Sequence, residues 1–254
     1  MYDDLDRPPL RAAALDRALR PDGWRVEVLA RTGSTNAVVA TRARAGERPG
    51  LVVVAEQQSA GRGRLDRTWT SPPRAGLTFS VLLSPEDRPW VTLHAGSAVA
   101  LALQDVADLD AVLKWPNDVL VGGRKIAGLL AEASGDGLVV LGVGLNVTTR
   151  AAELPHGGAT SARLAGSATT DRATLLKAVL RRLRALATGA PQGPVEGARS
   201  TYRGLCSTIG QQVRLELPGG RFVQGTADGV DDAGRLVVDG APYAAGDVVH
   251  LLGV

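Results

Sequence analysis

Leu51-Val52-Val53-Val54-Ala55-Glu56-Gln57-Gln58-Ser59-Ala60-Gly61-Arg62-Gly63-Arg64-Leu65-Asp66-Arg67-Thr68-Trp69 passes from an unbroken apolar run into a polar loop rich in glycine and arginine. A short apolar run of this kind predicts a strand buried on both faces. The chain therefore delivers its most highly charged loop directly from the edge of a covered sheet. Arg62, Arg64 and Arg67 lie close together, and Gly61 and Gly63 let the backbone approach a ligand. Guanidinium groups hold phosphate or carboxylate through paired donors, and Trp69 offers a flat face to a base or a cation. A phosphate-bearing small molecule and RNA both fit, and such clusters also occur on ordinary solvated turns.

The sequence upstream predicts a helix over residues 34–45, capped by Ser34 or Thr35, with Ala37, Val38 and Ala40 as its apolar side and Gly46 and Pro49 ending it. Before it, Leu10 to Leu19 reads as one short helix. Downstream, Gly76 to Leu83 reads as a strand, Thr92 to Ala107 as a core helix, and Ala111 to Trp115 and Val119 to Val121 as strand pieces separated by Pro116-Asn117-Asp118. Gly122-Gly123 marks a hairpin-type turn before Lys125. Leu138 to Val147 is a further buried strand; its Gly142-Val143-Gly144 lacks the third glycine and following helix of a dinucleotide fold. Residues 171–188 form an amphipathic helix begun by Thr170 or Asp171, with Arg181, Arg182 and Arg184 on its solvated side. After the 187–194 loop the pattern changes: Val213, Leu215 and Leu217 alternate with polar residues, Pro218-Gly219-Gly220 turns the chain, and 222–227, 235–239 and 248–252 supply short strands. The fold class read from this order is α+β: a larger mixed-sheet domain with flanking helices over 1–204, and a small β module over 205–254 that packs on it.

Composition narrows the function. The 254 residues are 44% hydrophobic, with four Trp, three Tyr and two Phe, so Val, Leu and Ala must fill the core. Cys206 is the single cysteine, which excludes an internal disulfide, and three scattered histidines give no zinc spacing. No apolar stretch resembles a signal peptide or reaches membrane-spanning length, and a cytoplasmic protein is expected. The net charge of +3 comes from interspersed charges, 29 basic against 26 acidic, and points weakly at DNA. The sequon Asn146-Val147-Thr148 lies in an apolar run and is not read as a glycosylation site. There is no P-loop.

A second polar cluster, Lys114-Trp115-Pro116-Asn117-Asp118 followed by Gly123-Arg124-Lys125-Ile126-Ala127-Gly128, joins two lysines, an acid and an amide. A lysine after a tight turn can place a point charge where negative charge builds up, and Asp118 can hold magnesium or orient an attacking group; a surface ion pair is the bland alternative. Taken together, Ser34-Thr35-Asn36, Gln58, the arginine loop through Trp69, Lys114 to Asp118 and Arg124 to Gly128 resemble the biotin protein ligases in order and spacing, from about residue 30 to the C-terminus. The β module resembles the SH3-like β-barrel tail of that family.

The resemblance implies a ligase that activates biotin with ATP and Mg²⁺ to biotinyl-5′-AMP and transfers biotin to a lysine of a biotin carboxyl carrier protein or domain. It implies biotin contacts from Ser34, Thr35, Asn36, Gln58, Gly61, Arg62, Gly63, Arg64, Lys125 and Gly128. It further implies nucleotide contacts from Arg64, Arg67, Trp69, Asn117, Asp118, Lys125 and Asn146. Catalysis then falls to Lys125, Arg62, Arg64 and Asp118, with Asp118 also the magnesium candidate. Many family members carry a basic residue and glycine where Leu65-Asp66 stands, so the loop keeps three arginines and one acid, net +2. Some members carry an N-terminal winged helix-turn-helix; the residues before Ser34 are too few for one, and no operator-binding role is expected. The competing readings are a lipoate ligase or related acyltransferase, which would not share this arginine loop followed by Lys-Trp-Pro-Asn-Asp, and an RNA-binding module.

Overall fold

The computed structural model describes residues 6–65, 67–155, 157–187, 195–217 and 219–251. Asp66, the 188–194 part of the predicted loop, Pro218 and Leu252 lie outside the described residues. The buried run is strand β2 (Leu51–Ala55), every residue of it buried. It pairs in parallel with β1 (Arg25–Leu29) and antiparallel with β5 (Gly76–Leu83). Two short strands, β3 (Gly61–Arg62) and β4 (Thr68–Trp69), form a separate ribbon from the arginine loop. With β6 (Ala111–Lys114), β7 (Asp118–Val121), β8 (Arg124–Ala133) and β9 (Val139–Asn146), the main sheet has seven strands in the order β1-β2-β5-β9-β8-β7-β6.

Period-two alternation explains why β2 is apolar throughout. Val52 and Val54 join the large core with Leu77, Phe79 and Val81 of β5, under helices α1 (Ala12–Leu19), α3 (Val91–Ala107) and α4 (Arg172–Ala187). Leu51 and Val53 face the other way, onto Val39 and Ala43 of α2 (Thr35–Arg44). Helix α2 starts as predicted, with Ser34 extended at φ −153° and its Oγ accepting from the Ala37 N–H at 3.5 Å. Its apolar side is corrected in part: Val38 and Ala40 are half-buried and pack on this cluster, but Ala37 is exposed, and the fully buried positions are Thr35, Asn36, Val39 and Ala43. They follow the 3.6-residue period, and the polar Asn36 goes inward because buried partners await it.

Helix α4 is capped by Asp171, whose carboxylate accepts from the N–H groups of Ala173 and Thr174 at 3.2 and 3.1 Å. Strands β1 and β8 and helix α5 (Val195–Leu205) were not read from the sequence. The C-terminal module is a five-stranded antiparallel sheet, SH3-like, of β10 (Gln212–Glu216), β11 (Phe222–Val230), β12 (Leu236–Val238), β13 (Ala241–Tyr243) and β14 (Asp247–His250) in the order β13-β12-β11-β10-β14. Tryptophans lock it to the larger domain: Trp90 and Trp115 donate their indole N–H to the carbonyls of Asp232 and Gly234, at 2.9 and 3.1 Å. These two tryptophans thus sit at the joint, Trp24 and Phe79 lie in the large core, and Val, Leu and Ala fill most of the rest. Among the described residues no helix is long and apolar enough to cross a membrane.

Candidate active site

Helix α2 covers the β2–β5 part of its face of the sheet, and the site lies on the same face over β5, β9, β8 and β7. Directly opposed residues share a face, so register decides what lines this surface: Thr78 is opposite Gly144, Ser80 opposite Gly142, and Gly128 opposite Gly144. Gly128, Gly142 and Gly144 make a floor without side chains, and each has a tenant. A Cβ on Gly144 would lie 2.3 Å from Cε2 of Trp69; one on Gly142 would lie 2.3 Å from Oδ1 of Asn36; one on Gly128 would lie 3.0 Å from Cε and Nζ of Lys125.

Lys125 reaches this floor because of a bulge. Pairing of β7 with β8 shifts between Val119 and Leu120, which oppose Ala127 and Lys125, so Ile126 is the extra residue. Ile126 and Ala127 are consecutive yet both fully buried in the large core. Regular alternation would put Lys125 on the core side with Ala127; the bulge moves it to the side of Gly128. There its Nζ lies 2.5 Å from Oδ1 of Asp118 and 6.0 Å from the Trp69 ring centroid. The Lys125 backbone is fastened on its other edge, N–H to the Gly158 carbonyl at 2.9 Å and C=O to the Thr160 N–H at 2.8 Å.

The arginine loop is a tight hairpin over the floor. Gly61 pairs with Trp69 and Arg62 with Thr68, and the Gly63 N–H donates to the Arg67 carbonyl at 2.7 Å. A Cβ on Gly61 would lie 2.3 Å from the Trp69 carbonyl oxygen, so only glycine fits there. Arg64 donates to Oδ1 of Asn117 and to the Gly246 carbonyl, both at 3.3 Å, and lies 3.8 Å from Asp247, which Arg67 also contacts. Burial lowers the Arg64 pKa from its ordinary value, and Asp247 and Asp118 oppose that shift. Asn117 is fixed in turn by its Nδ2 donating to the Leu129 carbonyl at 2.8 Å. Arg62 points elsewhere, its Nη2 3.0 Å from Oε2 of Glu132.

At the other end of the floor the Thr35 N–H donates to Oε1 of Gln58 at 2.7 Å, and the Thr35 hydroxyl oxygen lies 3.0 Å from the same atom. The structure thus groups Ser34, Thr35 and Gln58 in one buried polar corner, and Arg64, Asn117, Asp118, Lys125 and Trp69 in another, with Gly61 to Gly63 and Gly128 between them. Asn36 commits its amide to Ser80 and Glu132. Asn146 is buried and donates to the Thr160 carbonyl at 3.0 Å, behind the segment that anchors Lys125. Asp66 cannot be placed among these. Sequence reading missed Ser80, Glu132, Gly142, Gly144 and Asp247 as site residues. The one signal in the sequence is the glycine pair Gly142 and Gly144 in an otherwise bulky strand.

The arrangement offers cations at Arg64 and Lys125 that suit an anion, polar groups at Thr35 and Gln58 that suit an amide-bearing ring, and a flat face at Trp69. Among the described residues no group of three His, Cys, Asp or Glu could hold a metal on its own. Residues 28–146 match the biotin/lipoate A/B protein ligase family, and residues 208–251 match the biotin protein ligase C-terminal domain. The chain is 44% identical to the biotin--[acetyl-CoA-carboxylase] ligase of Mycobacterium tuberculosis, over 97% of this chain and 99% of that one. The solved biotin protein ligase of Aquifex aeolicus in complex with biotin and ATP is similar in structure, with a TM-score of 0.71 and 27% identity, covering 88% of this chain and 97% of that one. The Leishmania major biotin protein ligase in complex with biotinyl-5-AMP has a TM-score of 0.62 and 28% identity, covering 90% and 98%.

Proposed function

This chain belongs to the biotin protein ligase family, and we propose on that basis that it activates biotin with ATP and transfers it to a lysine of a biotin carboxyl carrier protein or domain. The observation that carries the reading is one glycine floor flanked by an amide-binding corner, Thr35 with Gln58, and by a cationic corner, Arg64 with Lys125. A bicyclic urea with a carboxylate tail needs the first corner for its ring and the second for its acid. The biotin and ATP, and the biotinyl-5-AMP, bound by the similar Aquifex and Leishmania proteins support the same assignment.

In the first step a biotin carboxylate oxygen attacks the α-phosphorus of ATP; the new C–O–P anhydride forms, the bond to the β-phosphate bridge breaks, and pyrophosphate leaves. No protein nucleophile is required. Two unit negative charges 4 Å apart repel by about 4 kcal/mol at an effective dielectric of 20, and Arg64 and Lys125 are the cations placed to offset it, joined by Arg62 where it turns from Glu132 to the ligand. Holding the two anions in line supplies further acceleration. Arg67, Trp69 and Asn117 we assign to the nucleotide, with Asn146 lining the adenylate region. In the second step the carrier amine attacks the anhydride carbonyl and AMP leaves; Asp118 orients that amine or takes its proton.

Magnesium that arrives with the nucleotide would find one carboxylate, Asp118, and the Asn117 amide, a donor set suited to an ion that keeps substrate phosphates and water as its other ligands. When bound, it supplies charge neutralisation on the phosphates. We place the domain boundary at 1–204 and 205–254. The single, buried, free Cys206 suits the reducing cytoplasm.

The test is biotin-dependent exchange of labelled pyrophosphate into ATP, with lipoate and no acid as controls. Exchange with biotin alone is expected. Exchange driven by lipoate, or none with biotin, would overturn the reading.

A further inference from the structure

A continuous polar chain crosses the floor from Gln58 to Arg62. The Thr35 N–H donates to Oε1 of Gln58, with the Thr35 hydroxyl 3.0 Å from the same oxygen; the Thr35 and Ser80 hydroxyls touch at 2.7 Å; Ser80 meets Oδ1 of Asn36; Nδ2 of Asn36 donates to Oε2 of Glu132 at 2.6 Å; and Arg62 holds that same oxygen at 3.0 Å. Ser80 is fully buried, and Thr35 and Asn36 are 3% and 5% exposed, so water does not reach the inner part of the pattern between them. Gly142 is required beneath it, since a Cβ there would strike the Asn36 amide.

The protons along this chain can be assigned from its ends. Oε1 of Gln58 is fixed as an acceptor by the Thr35 N–H at 2.7 Å. The Asn36 amide is fixed by Glu132, because a carboxylate accepts only, so Nδ2 must face it and Oδ1 must face Ser80. Two acceptor oxygens therefore bracket two hydroxyls, leaving three oxygen contacts with two hydroxyl protons to fill them. The protons go to the two shorter contacts, because a bare oxygen–oxygen approach costs least at the longest: Ser80 donates to Oδ1 of Asn36, and the Thr35 hydroxyl donates to Ser80 Oγ at 2.7 Å rather than to Gln58 at 3.0 Å. The gap then falls between the Thr35 hydroxyl and Oε1 of Gln58, where two lone-pair oxygens face the amide-binding corner. A ligand N–H directed between them closes the gap.

We propose that Ser80, Asn36 and Glu132 are positioning residues that set the proton direction of the Thr35–Gln58 corner, so that it selects a ligand presenting a ureido N–H. Glu132 also ties that choice to Arg62, since one carboxylate oxygen serves both the Asn36 amide and the guanidinium. The inference rests on the biotin reading above.

The test uses the full chain in pyrophosphate exchange, measuring KM for biotin and for ATP, and comparing biotin with an analogue methylated on its ureido nitrogens. Ser80→Ala should raise KM for biotin about tenfold, keep KM for ATP within about twofold, and shrink the preference for biotin over the methylated analogue. Glu132→Leu should raise biotin KM similarly, while Glu132→Gln, which keeps an acceptor for Asn36, recovers most of the loss. Unchanged biotin KM and analogue preference in Ser80→Ala, or an equal rise in both KM values, overturns the proposal. So does a Glu132→Gln variant no better than Glu132→Leu. Failure of the wild-type chain to exchange with biotin would instead refute the function itself.

Discussion

Gly144→Ala probes the glycine floor with a single methyl group. The added Cβ would lie 2.3, 2.6 and 2.7 Å from Cε2, Nε1 and Cζ2 of Trp69, whereas non-bonded carbons rest at about 3.5–4.0 Å. The indole must then retreat by roughly 1.2–1.7 Å, because the methyl grows from a central strand paired on both sides and the ring belongs to a two-residue strand of a surface ribbon. Overpacking of this size costs about 1–3 kcal/mol, so kcat/KM for ATP should fall roughly 5- to 150-fold. Steady-state exchange measures that fall, and iodide quenching reports the ring directly, since Trp24, Trp90 and Trp115 are at most 2% exposed. Trp69→Ala in the same background should cost less than in the wild type, because the clash has gone. Wild-type kcat/KM and quenching in Gly144→Ala, or strict additivity in the double variant, would refute the packing of Trp69 on Gly144.

Lys125→Ala should cut biotin-dependent exchange by about two orders of magnitude while moving stability by less than about 1 kcal/mol, its ion pair with Asp118 being part-exposed; ordinary activity in a folded variant contradicts its role. Glu56→Ala leaves Arg172 charged and buried, the two side chains being 9% and 5% exposed, and should destabilise by about 3–5 kcal/mol in urea unfolding; a loss under about 1 kcal/mol argues against the pair. His94 is 2% exposed with Nε2 unpartnered, and burial chiefly lowers its pKa to about 4 from an ordinary 6.5. The unfolded chain therefore binds the proton first as pH falls, so this contribution is complete above pH 6.5 and drains away toward pH 4, about 3 kcal/mol in all. His94→Phe should flatten the stability profile across that window, and an unchanged slope in pH-dependent melts would remove His94 as its cause.

Much of the frame was legible because it is carried by local pattern. The apolar runs at 51–55 and 76–83 became strands β2 and β5 with little or no change of boundary, and the caps at Ser34 and Asp171 acted where their side chains permitted. Strand β8 escaped because Gly128 and the doubled Ile126-Ala127 break its alternation, and α5 because the segment before it carries turn residues. The buried face of α2 was misjudged for a related reason. Hydrophobicity counts Asn36 as outward, whereas Ser80 and Glu132, distant in sequence, supply the partners that bring it in.

The same distinction separates the legible part of the site from the rest. Residues proposed to meet a ligand from loops, such as Arg62, Arg64 and Gln58, announce themselves by charge and glycine context. Residues that act through sheet register do not: Ser80 faces Gly142 only because β5 and β9 pair as they do, and Asp247 meets the arginine loop from a strand in another domain. Lys125 shows the limit most clearly. Its chemistry was evident from the turn before it, but an uninterrupted ladder would have sent it into the hydrophobic core, and only the extra residue Ile126 turns it toward Asp118. What the sequence withheld was therefore geometric: a one-residue slip that exchanges a lysine buried in the core for one facing Asp118.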